Sequence, residues 1–293
     1  MGGAVGAAAC PEAAGGPPGK PAGIGSPGAN CGTPCPVNVA LGKSWDAQYA
    51  VGIAVVIDPD KPTPADGMPD LLFFLTSIDQ VTVGGNWDVL GLRGTGSFDY
   101  AIHDVFVPVE FTRSNFAQAE MLWGGRSAQV GTVGWLMVDH TAFELGAGRR
   151  LLDELAAHAR RPNPRGPRPA ERERFQQAFA RAEVAFRSAD AWVLQLWSEI
   201  EDGLDRTGGI PRPLMTQARA ALRHIHEVNA ANAAFAFDEG GGTALRGGPL
   251  QRYCRDIAAA GQHILLSPDF LNFCAKDFLG EAEGLQWSVF GLA

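Results

Sequence analysis

The sequence predicts an α+β fold, a partial antiparallel β-domain followed by an up-down helical bundle. Three observations carry this reading. Short apolar, β-branched runs separated by turn residues fill the stretch from Tyr49 to Val107. Beyond Pro108 the apolar residues recur at three- and four-residue spacings instead. The connections between those helical stretches are short, which favours antiparallel neighbours.

Residues 1–37 are dominated by Gly, Ala and Pro and hold almost no large apolar side chains. Such a segment buries too little surface to offset its ordering entropy, so disorder is expected there. Residues 38–115 are read as the partial β-domain. Val51 to Ile57 is a β-branched run closed by Asp58-Pro59, a buried strand. Pro62 to Pro69 is a polar turn, and Leu71 to Leu75 a second strand. Asp79 to Val83 leads into Asn86-Trp87-Asp88, and Tyr100 to Val107 alternates as a further strand.

Residues 116–293 are read as the helical bundle, with the boundary near Glu110 to Met121. Val138 to Arg160 places Ala142, Leu145, Ala147, Leu151, Leu152 and Leu155 on one helix face. Four prolines between Arg161 and Pro169 break the pattern. Glu171 to Gly203 is a second helix, striped by Phe175, Phe179, Ala182, Phe186 and Ala189; Gly203, Gly208-Gly209 and Pro211 end it. Pro213 to Phe237 is a third helix, broken by Gly240-Gly241-Gly242. Pro249 to Gln262 and Pro268 to Leu279 are the fourth and fifth.

Composition narrows the function classes. A net charge of −8 argues against general nucleic-acid binding, which needs a basic face. No run reaches the ~18 apolar residues of a membrane span, and the start lacks the features of a signal peptide. The five cysteines are odd in number and show no repeated spacing, so no disulfide framework is expected and a reducing cytoplasm is the default compartment. Cys31 and Cys35 lack a second ligand pair at metal-binding spacing. His103, His140, His158, His224 and His226 form no partner pattern; the rings of His224 and His226 do not share a helix face. No Ser-His-Asp elbow and no phosphate-binding P-loop occur.

Two stretches carry a resemblance. Trp87-Asp88-Val89-Leu90-Gly91-Leu92-Arg93-Gly94-Thr95-Gly96-Ser97, continuing to Val105-Phe106-Val107-Pro108, resembles the end of the middle β-domain of the acyl-CoA dehydrogenase superfamily. Downstream, Gly240-Gly241-Gly242, Pro249-Leu250-Gln251-Arg252, Arg255-Asp256 and Gln262-His263 resemble that superfamily's final helices, most nearly in its flavin-dependent monooxygenase branch. Together they span about Gln48 to Leu279. The resemblance implies a bundle of the acyl-CoA dehydrogenase C-terminal type and a flavoprotein using FAD or FMN. It also implies a two-component oxygenase subunit acting on an aromatic or heterocyclic small molecule, reduced flavin from a separate reductase, and a homotetramer.

The same resemblance nominates residues. His263 would face the flavin and manage protons, a task suited to imidazole. Arg252, Arg255 and Asp256 would form a structural or cofactor-side network, since arginine grips a pyrophosphate through two donors. Arg93, Thr95 and Ser97 sit in a glycine-rich loop that lets a ligand approach the backbone. Arg172-Glu173-Arg174-Phe175 resembles loosely a family element that reaches the flavin pyrophosphate of a neighbouring subunit; a basic first helical turn is the plainer reading. An acyl-CoA dehydrogenase would need a carboxylate after the fourth helix, where Ile264-Leu265-Leu266 stand; Glu239 is the substitute. The family's N-terminal helical domain has no counterpart in this sequence, so a truncated, non-catalytic paralogue is a further alternative.

Overall fold

The computed structural model describes residues 47–55, 71–114, 125–164, 166–289 and 291–292. The segment 1–37, the turn from Pro62 to Pro69, Cys10, Cys31, Cys35 and much of the Glu110 to Met121 boundary lie outside them. The chain divides into two compact units, Met1–Asp88 with Arg93–Phe116, and Val89–Leu92 with Ala117–Ala293.

The first unit is antiparallel β. Strands β1 (Tyr49–Val55), β2 (Leu71–Ser77) and β5 (Thr112–Ser114) form one sheet in the order β1-β2-β5. Its register pairs Tyr49 with Ser77 and Phe74 with both Gly52 and Thr112. A side chain at Gly52 would meet the Phe74 ring at 2.2 Å, so the glycine lets the aromatic lie across the neighbouring strand. Strands β3 (Thr82–Val83) and β4 (Tyr100–Ala101) make a second, two-stranded sheet. Tyr100 is buried, and its hydroxyl donates to the Val51 carbonyl at 2.5 Å.

Two expected strands are shorter than their patterns imply. Within Tyr100 to Val107 the ladder stops after Ala101, and Asp104 adopts φ +51°, which no strand accommodates. In Asp79 to Val83 a 3-10 turn at Ile78–Gln80 precedes an extended Val81, and the paired strand is Thr82–Val83. Alternation shows which faces differ, but not whether a partner strand lies alongside.

The second unit is the up-down bundle. It comprises α1 (Gly131–Ala159), α2 (Glu173–Thr207), α3 (Arg212–Gly240), the single turn α4 (Gly242–Leu245), α5 (Pro249–Ala260) and α6 (Phe270–Phe278). Helix α3 is central and packs against α1, α2, α5 and α6. Ala218, Ala221 and Ala236 of this helix are buried and keep these approaches close. Leu151, Leu152 and Leu155 of α1 are wholly buried, each stabilising the fold by ~1.5–3 kcal/mol. Helix α2 passes through Gly203 and stops at Gly208, whose φ of +67° makes a left-handed cap with its N–H donating to Leu204 at 2.8 Å. Helix α3 likewise continues through Gly240 and ends at Gly241, at φ +46°.

The α1 stripe differs from the apolar pattern. Ala142 is exposed, whereas Thr141 and Glu144 are buried with Ala147 and Gly148. Counting only apolar residues misplaces the face by one residue, because two polar side chains belong to the interior. No helix among the described residues is long and apolar enough to cross a membrane.

Candidate functional site

Helix α5 ends at Ala260, and Gly261 and Gln262 bring the chain to His263. His263 caps the 3-10 turn Ile264–Leu266; its Nδ1 accepts the Leu265 N–H at 3.3 Å. Its ring lies against His140 of α1, with centroids 4.1 Å apart and planes inclined by 42°. Nδ1 of His140 is 2.8 Å from the Leu136 carbonyl. Burial, reinforced by the charge His140 can carry, pulls the His263 pKa from 6.5 to about 4. His263 is therefore neutral at physiological pH, well below the range expected from its residue type.

Behind this pair lies a buried polar network. Glu144, one turn after His140 on α1, is wholly buried. Its Oε1 is 2.8 Å from His226 Nδ1, and its Oε2 accepts from Asn229 Nδ2 at 2.7 Å. Asn229 Nδ2 also donates to the Glu144 carbonyl at 2.8 Å, binding α3 to α1. His226 also lies against the end of α5: a side chain on Gly261 would come within 2.6 Å of its Nε2. Gly261 thus lets the end of α5 rest on the His226 ring, two residues before His263.

Arg255 and Asp256 hold the segment Val89–Leu92. Arg255 Nη1 donates to the Leu90 carbonyl at 3.0 Å, and Asp256 Oδ1 accepts the Leu92 N–H at 2.7 Å. Leu92 has φ +51°, a conformation costly for a leucine. A Cβ on Gly91 would meet the Arg255 carbonyl oxygen at 2.2 Å. The Arg-Asp pair on α5 is therefore engaged with backbone. Arg252, on an exposed position of the same helix, sits 5.3 Å from the Tyr253 ring.

The remaining sequence-predicted residues make other contacts. Arg93 and Thr95 bound a 3-10 turn in the β unit, where Arg93 makes an exposed ion pair with Asp88 at 3.6 Å. The Ser97 hydroxyl is 3.5 Å from that of Thr95. Arg172 pairs with Glu239 at 3.1 Å, tying the start of α2 to the end of α3. Glu239 is half-withdrawn from solvent and committed to that arginine rather than solvent-facing.

Sequence reasoning missed His140, Glu144, His226 and Asn229. The available signal was a charged residue one turn from a histidine within an otherwise apolar face. Among the described residues no group of three His, Cys, Asp or Glu is placed to hold a metal ion.

Residues 139–268 match the family model "Acyl-CoA dehydrogenase, C-terminal domain". The chain is 28% identical over 219 residues to the flavin-dependent monooxygenase oxygenase subunit HsaA of Rhodococcus jostii, covering 71% of this chain and 57% of that protein. It is 24% identical to indole-3-acetate monooxygenase of Acinetobacter baumannii over 73% of this chain and 55% of that protein. The chain thus spans little more than half the length of these curated relatives. Its fold is similar to that of XiaF from Streptomyces, solved with FADH2 and glycerol, at TM-score 0.68 and 21% identity over 81% of this chain and 61% of that one. Residues 139–268 thus match the acyl-CoA dehydrogenase C-terminal domain model, and the fold of the chain is similar to that of XiaF.

Proposed function

We propose that the chain is an oxygenase subunit, or a portion of one, of a two-component flavin-dependent monooxygenase acting on an aromatic or heterocyclic small molecule. The observation that carries this reading is the half-buried, neutral His263 at the end of α5, followed by Ile264-Leu265-Leu266 where a dehydrogenase needs a carboxylate. Glu239, the substitute base, is held by Arg172. The names of the similar proteins support the same branch.

The residues present fit a flavin by their donor chemistry. Within the β unit, Arg93, with its guanidinium mostly exposed, and the neighbouring Thr95 and Ser97 hydroxyls have donor chemistry suited to a phosphate group. Within the helical unit, Arg252 is an exposed cation. Arg255 and Asp256 shape the wall by fixing Val89–Leu92. His263 supplies a hydrogen bond at the reacting edge. The bound flavin, in reduced form from a reductase, would supply the oxygen-activating chemistry. The free thiols Cys254 and Cys274 favour a reducing, cytoplasmic compartment. The exposed apolar residues Ile264, Phe278 and Leu279 favour a homo-oligomer, a homotetramer by analogy with the family.

Fluorescence titration of the purified chain with FMN and FAD, oxidised and reduced, tests the reading. Preferential binding of reduced flavin is expected. Retention of oxidised FAD would favour an acyl-CoA dehydrogenase. A folded chain that binds neither would be a non-catalytic paralogue.

A further inference from the structure

We propose that the segment following α6, residues 282–289 with 291–292, is a strap that lifts from the bundle without unfolding it, and that Arg219 of α3 is the under-bonded latch that keeps its docked state shallow.

The strap is held at a few points. Gly280 and Gly284 turn the chain at φ +80° and +79°, left-handed values that glycine adopts freely. Between them Ala282 is buried, and its carbonyl accepts from Arg212 Nη1. The Trp287 ring lies 6.2 Å from that of Phe270 and meets Phe273 edge-on at 6.2 Å. Its Nε1–H donates to Thr216 Oγ1 at 2.7 Å, and that hydroxyl donates on to Asp277 at 2.5 Å. The chain then reverses: the Ser288 N–H donates to the Gly291 carbonyl at 2.8 Å, and buried Leu292 bridges back to Trp287. Beneath the strap, α3 and α6 have their own tie in the ion pair of Arg212 with Asp277 at 3.0 Å.

Arg219 is the weak point of this docking. It is only 2% exposed, with its guanidinium 4.4 Å from the Phe270 ring centre and 4.6 Å from that of Trp287. Nη2 donates to the Ser288 carbonyl at 2.7 Å, while Nε and Nη1 have no acceptor among the described residues. The carboxylate of Asp277 is taken by Arg212 and Thr216. Two ring faces and one carbonyl thus replace the water that a guanidinium holds in the open, and the loss of that hydration outweighs the cation–π contacts. When Trp287 and Ser288 lift away, water returns to Nε and Nη1. That relief needs only local opening, while the α3 core at Leu222 and Ile225, 1% and 0% exposed, stays closed. Leu266 lies in the same core that Trp287 packs against, and Phe270 carries the other ring over Arg219. Lifting the strap therefore uncovers the leg from the His263 turn to α6, so the device acts on the candidate site.

Hydrogen exchange of the full chain in urea below its unfolding transition tests this without flavin, so the outcome is separate from that of the flavin titration. Trp287→Phe assigns the indole signal. The Trp287 indole N–H should exchange about tenfold or more faster than the Leu222 and Ile225 amides, with a shallow urea dependence. The Leu266 amide, which donates to the His263 carbonyl at 2.9 Å, should follow it. Arg219→Met, an apolar side chain in place of the cation, should slow exchange of the indole by about tenfold. An indole that exchanges only with global unfolding overturns the strap. An unchanged or faster rate in Arg219→Met, or failure of that variant to fold, overturns the latch. A Leu266 amide that does not follow Trp287 overturns the link to the candidate site.

Discussion

Glu144 Oε1 and His226 Nδ1 meet at 2.8 Å inside the bundle, with Glu144 wholly buried and His226 nearly so. The pair joins α1 to α3, and Asn229 completes it by donating to the other carboxylate oxygen. A buried carboxylate with both oxygens engaged is tolerated; one of its partners left alone is not.

Glu144→Ala should accordingly destabilise the bundle by about 3 kcal/mol, since it strands the His226 and Asn229 donors as well as opening space. Glu144→Gln should cost less, keeping the shape and part of the bonding. Urea unfolding followed by far-ultraviolet circular dichroism measures both. A loss equal to that of an exposed substitution would show that the network is not formed.

The contact between Val89–Leu92 and α5 should be sensitive to two substitutions. Gly91→Ala places a Cβ against the Arg255 carbonyl, and Asp256→Ala removes the acceptor of the Leu92 N–H. Each should reduce hydrogen-exchange protection of the Leu92 amide by about tenfold or more, corresponding to the ~1–3 kcal/mol of an unmade buried hydrogen bond. The α2 amides should keep their protection.

His263 should make the fold acid-sensitive. Its folded pKa is depressed to about 4 from 6.5, so below 6.5 the unfolded chain binds a proton that the folded chain resists. Stability is undiminished by this group above pH 6.5 and falls as pH drops from 6.5 toward 4. His263→Gln should flatten that acid limb in thermal unfolding at pH 7, 6 and 5. An unchanged pH slope would count against burial of the ring.

Tyr100 should act at the other end of the scale. Burial raises its phenol from 10.0 to about 12. Between those values the folded state keeps a proton that the unfolded state has lost, so stability is full below pH 10 and declines as pH rises toward 12. Tyr100→Phe should remove that decline while costing ~1 kcal/mol at neutral pH for the lost bond to Val51. Ultraviolet difference titration at the phenolate band checks the raised value directly.

The legible parts of this protein were those written in local order. The α2 stripe of Phe175, Ala182, Phe186 and Ala189 is buried as its spacing predicts, and prolines and glycines place most helix ends within a turn. His263 was nominated from its neighbours in the chain. Its chemical state was not: the residue type suggests a group titrating near neutral pH, and only burial beside His140 lowers it.

By itself the sequence determined the order of elements, a β portion and then a bundle, because periodicity and chain breakers act over a few residues. Tertiary structure decided which polar residues are interior. Glu144 meets a histidine 82 positions away, and Leu92 gives its N–H to a carboxylate 164 positions away. Nothing in local spacing encodes such pairings. They arise when two helix faces close on each other and the cost of an unpaired buried charge selects which side chains must meet.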